Sequence, residues 1–124
     1  MNKIRRGDVH EDYAYSGYVI AGDYMFLNFC VGNVGQGVEE QVNGAFDDME
    51  RHLAKEGLSL DDVVKIDVLL RDPWNIPVLE KVIKERFRNG YPARKTIGTD
   101  FAHVGGPEGL QVQIDGIAYC GKRG

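Results

Sequence analysis

The sequence predicts an α+β fold, a sheet in the chain order ββαβαββ with two helices packed on one face. Three observations predict it. Alternating, apolar-rich segments lie at both ends of the chain. Two stretches between them repeat apolar residues at intervals of three and four, and no low-complexity linker divides the 124 residues, so one domain over 1–124 is expected.

The first pair of strands is YVIAGDYMFLNFCVG, residues 18–32, with apolar and aromatic residues on both sides of the hairpin dipeptide Gly22-Asp23. From Val38 to Leu53, the residues Val38, Val42, Ala45, Phe46, Met49 and Leu53 form an amphipathic helical stripe, with Glu39 and Glu40 in the first turn. Gly44 weakens that helix slightly, and Gly57 can end it. DDVVKIDVLLRD, residues 61–72, is rich in β-branched residues and predicts a strand with Val64, Ile66, Val68 and Leu70 facing the core. Asp72-Pro73 breaks it. Asn75 is expected to cap a second helix carrying Val78, Leu79, Val82, Ile83 and Phe87, which Asn89-Gly90 stops. Arg94 to Gly98 alternates as a strand, DFAHVGGPEG denies itself regular structure, and LQVQIDGIAYC alternates again with Leu110, Val112, Ile114 and Gly116 on one face.

Charge and composition narrow the function. A net charge of −4 provides no positive field for a phosphate backbone and argues against a nucleic-acid partner. The basic clusters KIRR and GKRG read as solvated tails. The acidic stretch GDVHEDYAY stands where a signal peptide needs an apolar core, and no run approaches a membrane span of ~18 apolar residues, so a cytoplasmic protein without a membrane partner is expected. Cys30 and Cys120 form no CxxC pair, and His10, His52 and His103 are scattered, so no metal motif stands out.

Four pieces in this order, YSGYVIAGD, GLSLDDVVKIDVLLRD, YPAR and LQVQIDGIAY, resemble the RidA/YjgF family over about Tyr15 to Tyr119. The resemblance implies a chorismate-mutase-like fold and a homotrimer with ligand sites in the clefts between subunits. It further implies hydrolysis of reactive enamines and imines of amino acids to a keto acid and ammonia, with no cofactor. The carboxylate-binding arginine of the family's PAR motif falls on Arg94. A guanidinium suits that role, because its planar fork donates two parallel hydrogen bonds and stays charged. An ion pair with Asp100 or Asp115 is the purely structural alternative. The family's tyrosine falls on Tyr15, which could close over the ligand. Thr96, on the Arg94 strand, joins the expected substrate-binding set.

Two departures from the family pattern bear on chemistry. Asn28-Phe29-Cys30 stands where many members carry Ser-Gly-Gln, so that Phe29 would reshape the pocket unless it turns into the core and Gly32 serves instead. Gln113 stands where deaminating members carry a glutamate, and an amide holds a water but cannot take its proton. Asp115, Glu108 and His103 are the candidate replacement acids or bases. The leading expectation is an imine deaminase that binds a small-molecule carboxylate through Arg94. The alternatives are a non-catalytic carboxylate-binding protein of the same fold and a ribonuclease acting as a translation inhibitor, which the acidic balance opposes.

Overall fold

Six strands form one mixed sheet in the order β1-β2-β3-β6-β4-β5 in the computed structural model, which describes residues 3–100 and 109–121. β1 (Ile4–His10), β2 (Tyr15–Ala21) and β3 (Tyr24–Cys30) make an antiparallel meander, and β6 (Val112–Tyr119) runs antiparallel between β3 and β4 (Val63–Leu70). β5 (Ala93–Gly98) is parallel to β4, a pairing that requires a crossover, and α2 (Ile76–Arg86) supplies it. Together with α1 (Val38–Lys55), α2 covers one face of the sheet, in the predicted α+β class.

The KIRR segment is not a solvated tail but the start of β1, a sixth strand that the sequence order lacked. Arg5 donates both guanidinium arms to Glu56 at 2.8 and 2.6 Å, and Glu56 also accepts from the Tyr18 hydroxyl at 2.6 Å. The bond to Arg5 holds the Glu56 carboxyl below its ordinary range, while burial is the main cause that pushes the Tyr18 phenol up to about 12. Further along, Asp8 takes a positive φ of 53° and turns its carboxylate to Lys55 and to His52 Nδ1, the latter at 2.6 Å. Charged clasps hold β1 where apolar alternation does not, which is why a pattern of hydrophobicity misses it. GKRG extends over residues 121–124, of which 122–124 lie outside the described residues.

The core forms where the predicted stripes meet. Phe46, Met49 and Leu53 of α1 and Leu79 and Val82 of α2 pack on Ile66, Val68, Leu70, Val112 and Ile114. Phe46 meets Phe87 edge to face, with 5.3 Å between ring centroids. Val64 is a correction: it is 45% exposed and Val63 is buried instead, because the β4–β6 register shifts between Val63 and Lys65. The cap of the second helix also differs. Asn75 makes no side-chain cap bond, and Asp72 accepts from Trp74 N at 3.0 Å at the start of a 3₁₀ turn that leads into α2.

Gly32 and Gly44 touch back to back. A Cβ on either would lie 2.6 Å from the other's backbone, so the pair sets how closely α1 approaches the chain leaving β3. Gln41, fully buried, donates to Gln36 O and Gly109 O and accepts from Gln111 N at 2.8 Å. This amide fixes the segment that enters β6, where Gln113 and Asp115 stand.

Candidate functional site

Arg94 owes its position to the turn before it and the strand beside it. Gly90 takes a φ of +139°, Pro92 biases the preceding residue toward extended backbone, and β5 then pairs in parallel with Arg94 opposite Ile66. Ile66 points into the core, so Arg94 lies on the helix-covered side, at the sheet edge beside α2. Its Nη2 donates to Glu80 Oε2 at 3.2 Å, the single side-chain hydrogen bond of Arg94 among the described residues, and its side chain remains 29% exposed. The partner acid is therefore Glu80. Asp100 is engaged by Arg71 at 2.9 Å, and Asp115 lies on β6 with its side chain toward the helix-free face.

Around this pair lies a cleft of about 340 Å³, floored by Ile66, Ile83 and Pro92 and rimmed by Arg94, Glu80, Lys84 and Tyr91. Such a volume, with an apolar floor and a few convergent charged groups, is typical of small-molecule sites. Thr96 projects to the same side as Arg94, two residues along β5. Its Oγ1 is buried with no partner among the described residues, an unmet hydrogen-bonding capacity two residues along β5 from Arg94.

Glu80 escaped the sequence reading, although a signal was present. With Ile76, Leu79 and Ile83 it completes an i, i+3, i+4, i+7 stripe, so a carboxylate occupies a place where the helical period calls for an apolar residue.

The other expected residues gather elsewhere on the sheet. Tyr15 stacks on His10 with 4.6 Å between ring centroids and tilts against Phe29 at 5.5 Å. Phe29 is half-buried against Tyr15 rather than part of the core, and Gly32 is committed to Gly44. Asn28 and Phe29 form a bulge in the β3–β6 ladder, between the pairs Leu27–Gly116 and Cys30–Ile114, which sets them opposite Asp115. Asn28 Nδ2 is buried without a partner among the described residues. Asp115 also faces Asp67 across β4, where Lys65 Nζ lies 3.0 Å from Asp67 Oδ1. Burial first, and Asp67 second, push the Asp115 carboxyl above its ordinary range. Gln113 pairs with Leu69 on the helix-free side and is only 8% exposed. Burial, then Asp48 and Asp115, push the Cys30 thiol well up, which leaves it no thiolate character for nucleophilic work. Glu108 and His103 lie outside the described residues.

One chain thus presents two patches. Arg94, Glu80 and Thr96 lie by β5, while Tyr15, Phe29, Asp115 and Gln113 lie on β2, β3 and β6. Three strands separate β2 from β5, about 19 Å at the usual spacing between strands. Among the described residues, no group of three or more His, Cys, Asp or Glu could hold a metal ion, and no helix is long and apolar enough to cross a membrane.

The profile of the endoribonuclease L-PSP family matches residues 13–120. The chain belongs to the RidA/YjgF family. A 2-iminobutanoate/2-iminopropanoate deaminase of Dermatophagoides farinae is 31% identical over 113 residues, which is 83% of each chain. A Streptococcus pyogenes protein described as a member of the yjgF family has 63% identity and a TM-score of 0.91, with 98% of this chain and 99% of that one covered. RidA from a Psychrobacter species has 25% identity and a TM-score of 0.79 over 96% of this chain and 99% of that one. These RidA/YjgF structures bear out the two helices on a mixed six-stranded sheet.

Proposed function

We propose that this chain is an imine or enamine deaminase that grips its substrate's carboxylate through Arg94. The observation that carries the reading is the Arg94 cleft, where an always-charged, bidentate donor stands over an apolar floor with one carboxylate beside it. Likeness to proteins named 2-iminobutanoate/2-iminopropanoate deaminase supplies the reaction class.

Arg94 holds the carboxylate, and the adjacent iminium carbon lies beside Glu80. Water adds to that carbon, forming the C–O bond. Both water protons pass to nitrogen, the C–N bond breaks, and ammonium and a keto acid leave. A carboxylate next to the reacting nitrogen stabilises its positive charge and relays the proton, which the Gln113 amide cannot do. Thr96 and Tyr15 add hydrogen bonds to the bound acid. In this reading Tyr15, Phe29 and Gln113 of one copy complete the Arg94 cleft of the next within a homotrimer. The separation of the two patches supports that arrangement, as does the apolar surface of Tyr24, Phe26, Ile97 and Tyr119, each more than 40% exposed.

Initial rates of keto-acid release from an imino acid generated in situ, with the buffer rate subtracted, test the reading. The native protein is expected to exceed buffer, and Glu80→Gln to lower kcat by about 10²-fold, the lower end of what a positioned acid or base contributes. Gln113→Glu is expected to change the rate by less than about tenfold, because the acid already stands at Glu80. A native rate equal to buffer on several imino acids, with carboxylates still binding, would replace the deaminase with a carboxylate-binding protein.

A further inference from the structure

We propose that the Arg94 cleft is built for a dicarboxylic imino acid, with Lys84 receiving the second carboxylate. This inference deepens the deaminase reading and rests on its assignment of Arg94 as the anchor of the first carboxylate.

The rim carries charge in a definite order. Arg94 touches Glu80 at 3.2 Å, and Lys84 follows Glu80 by four residues on α2, one helical turn along the same face. The cleft therefore offers cation, anion, cation. A protonated imine flanked by two carboxylates offers the complementary row of anion, cation, anion. An iminium dicarboxylate of about four or five carbons can match it group for group, since neighbours one helical turn apart stand about 5–6 Å from each other. A monocarboxylic imine leaves the Lys84 end of the row unanswered.

The condition of Lys84 supports this. The other lysine on this helix, Lys81, is tied to Glu39 at 2.6 Å and Glu85 at 3.4 Å. Lys84 has no hydrogen bond or ion pair among the described residues, although it lines the cleft. A volume of about 340 Å³ lies within the range of sites that hold ligands well beyond a three-carbon acid. The apolar floor of Ile66 and Ile83 suits the methylenes between the two carboxylates.

The test is equilibrium binding by calorimetry of stable acids matched in length, succinate against butyrate and 2-oxoglutarate against 2-oxopentanoate. The native protein is expected to bind each diacid about fivefold more tightly than its partner, the upper end for a single exposed ion pair, and to lose that preference at high ionic strength. Lys84→Met is expected to abolish the preference and Lys84→Arg to keep it. Lys95→Met removes an equal charge from the opposite face of β5 and is expected to keep it as well. Equal affinities in the native protein, no binding of either acid, or the same loss in Lys84→Met and Lys95→Met would overturn the proposal. No hydrolysis is involved, so an intact diacid preference in a protein without imine hydrolysis would sustain this inference while removing the deaminase reading.

Discussion

Asp115 and Glu56 show how position decides what a carboxylate contributes. Glu56 is bonded in its ionised form by Arg5 and Tyr18, so its folded-state pKa is lowered. The stability it adds is present above its unfolded pKa and is lost as pH falls through the folded value. Asp115 is the opposite case. Burial and Asp67 raise its folded-state pKa, so the native state holds the proton more tightly than the unfolded chain does. Stability falls as pH rises from the unfolded value of about 3.9 through the folded one. Asp115→Asn removes a charge that folding disfavours, and is expected to raise the urea midpoint at neutral pH by an amount that shrinks below about pH 4. A lower midpoint at neutral pH would mean that the ionised Asp115 is held by a favourable contact. Asp115 was legible in the sequence as an acid on the last strand. Its pairing with Asp67 was not, because that depends on the β4–β6 register.

Among the elements, the two helices, the hairpin and the last strand were legible because each buries one face and so leaves a period of 3.6 or 2 in the chain. Where burial is not what holds an element, the signal disappears. β1 is held by Arg5, Asp8 and backbone pairing to β2, and its polar residues resemble a tail. The parallel order of β4 and β5 arises from the α2 crossover, and it brings Glu80 to Arg94 across fourteen residues of sequence. Gly44 reads as a flaw in α1 by propensity alone, where a helical glycine costs about 1 kcal/mol relative to alanine. Its contact with Gly32 reverses the sign, since an added methyl would meet backbone 2.6 Å away that no side-chain rotation can clear. Gly44→Ala is expected to destabilise the fold by about 1–3 kcal/mol in denaturant unfolding, the usual cost of overpacking. A more stable Gly44→Ala protein would show that α1 can shift off the Gly32 segment freely.

At the scale of the molecule, the sheet is covered on one face by helices and carries exposed Tyr24, Phe26, Ile97 and Tyr119 on the other. Apolar groups grouped on an uncovered sheet face favour association. We propose the homotrimer as the form that covers them, and light scattering is expected to give a mass near three times 13.8 kDa. A monomer at micromolar concentration would leave the two patches apart and remove the completed site. Independently of the assembly, we propose that the Arg94 fork holds the carboxylate of an imino acid. The measurement that tests it most directly is kcat/KM for imine hydrolysis by native protein and by Arg94→Lys, which keeps the charge and removes the fork. Arg94→Lys is expected to lower it about 10- to 100-fold, the worth of charge-assisted hydrogen bonds, with no fall for the corresponding imine whose carboxylate is replaced by an amide. Equal kcat/KM in the two proteins on the carboxylate substrate would contradict it.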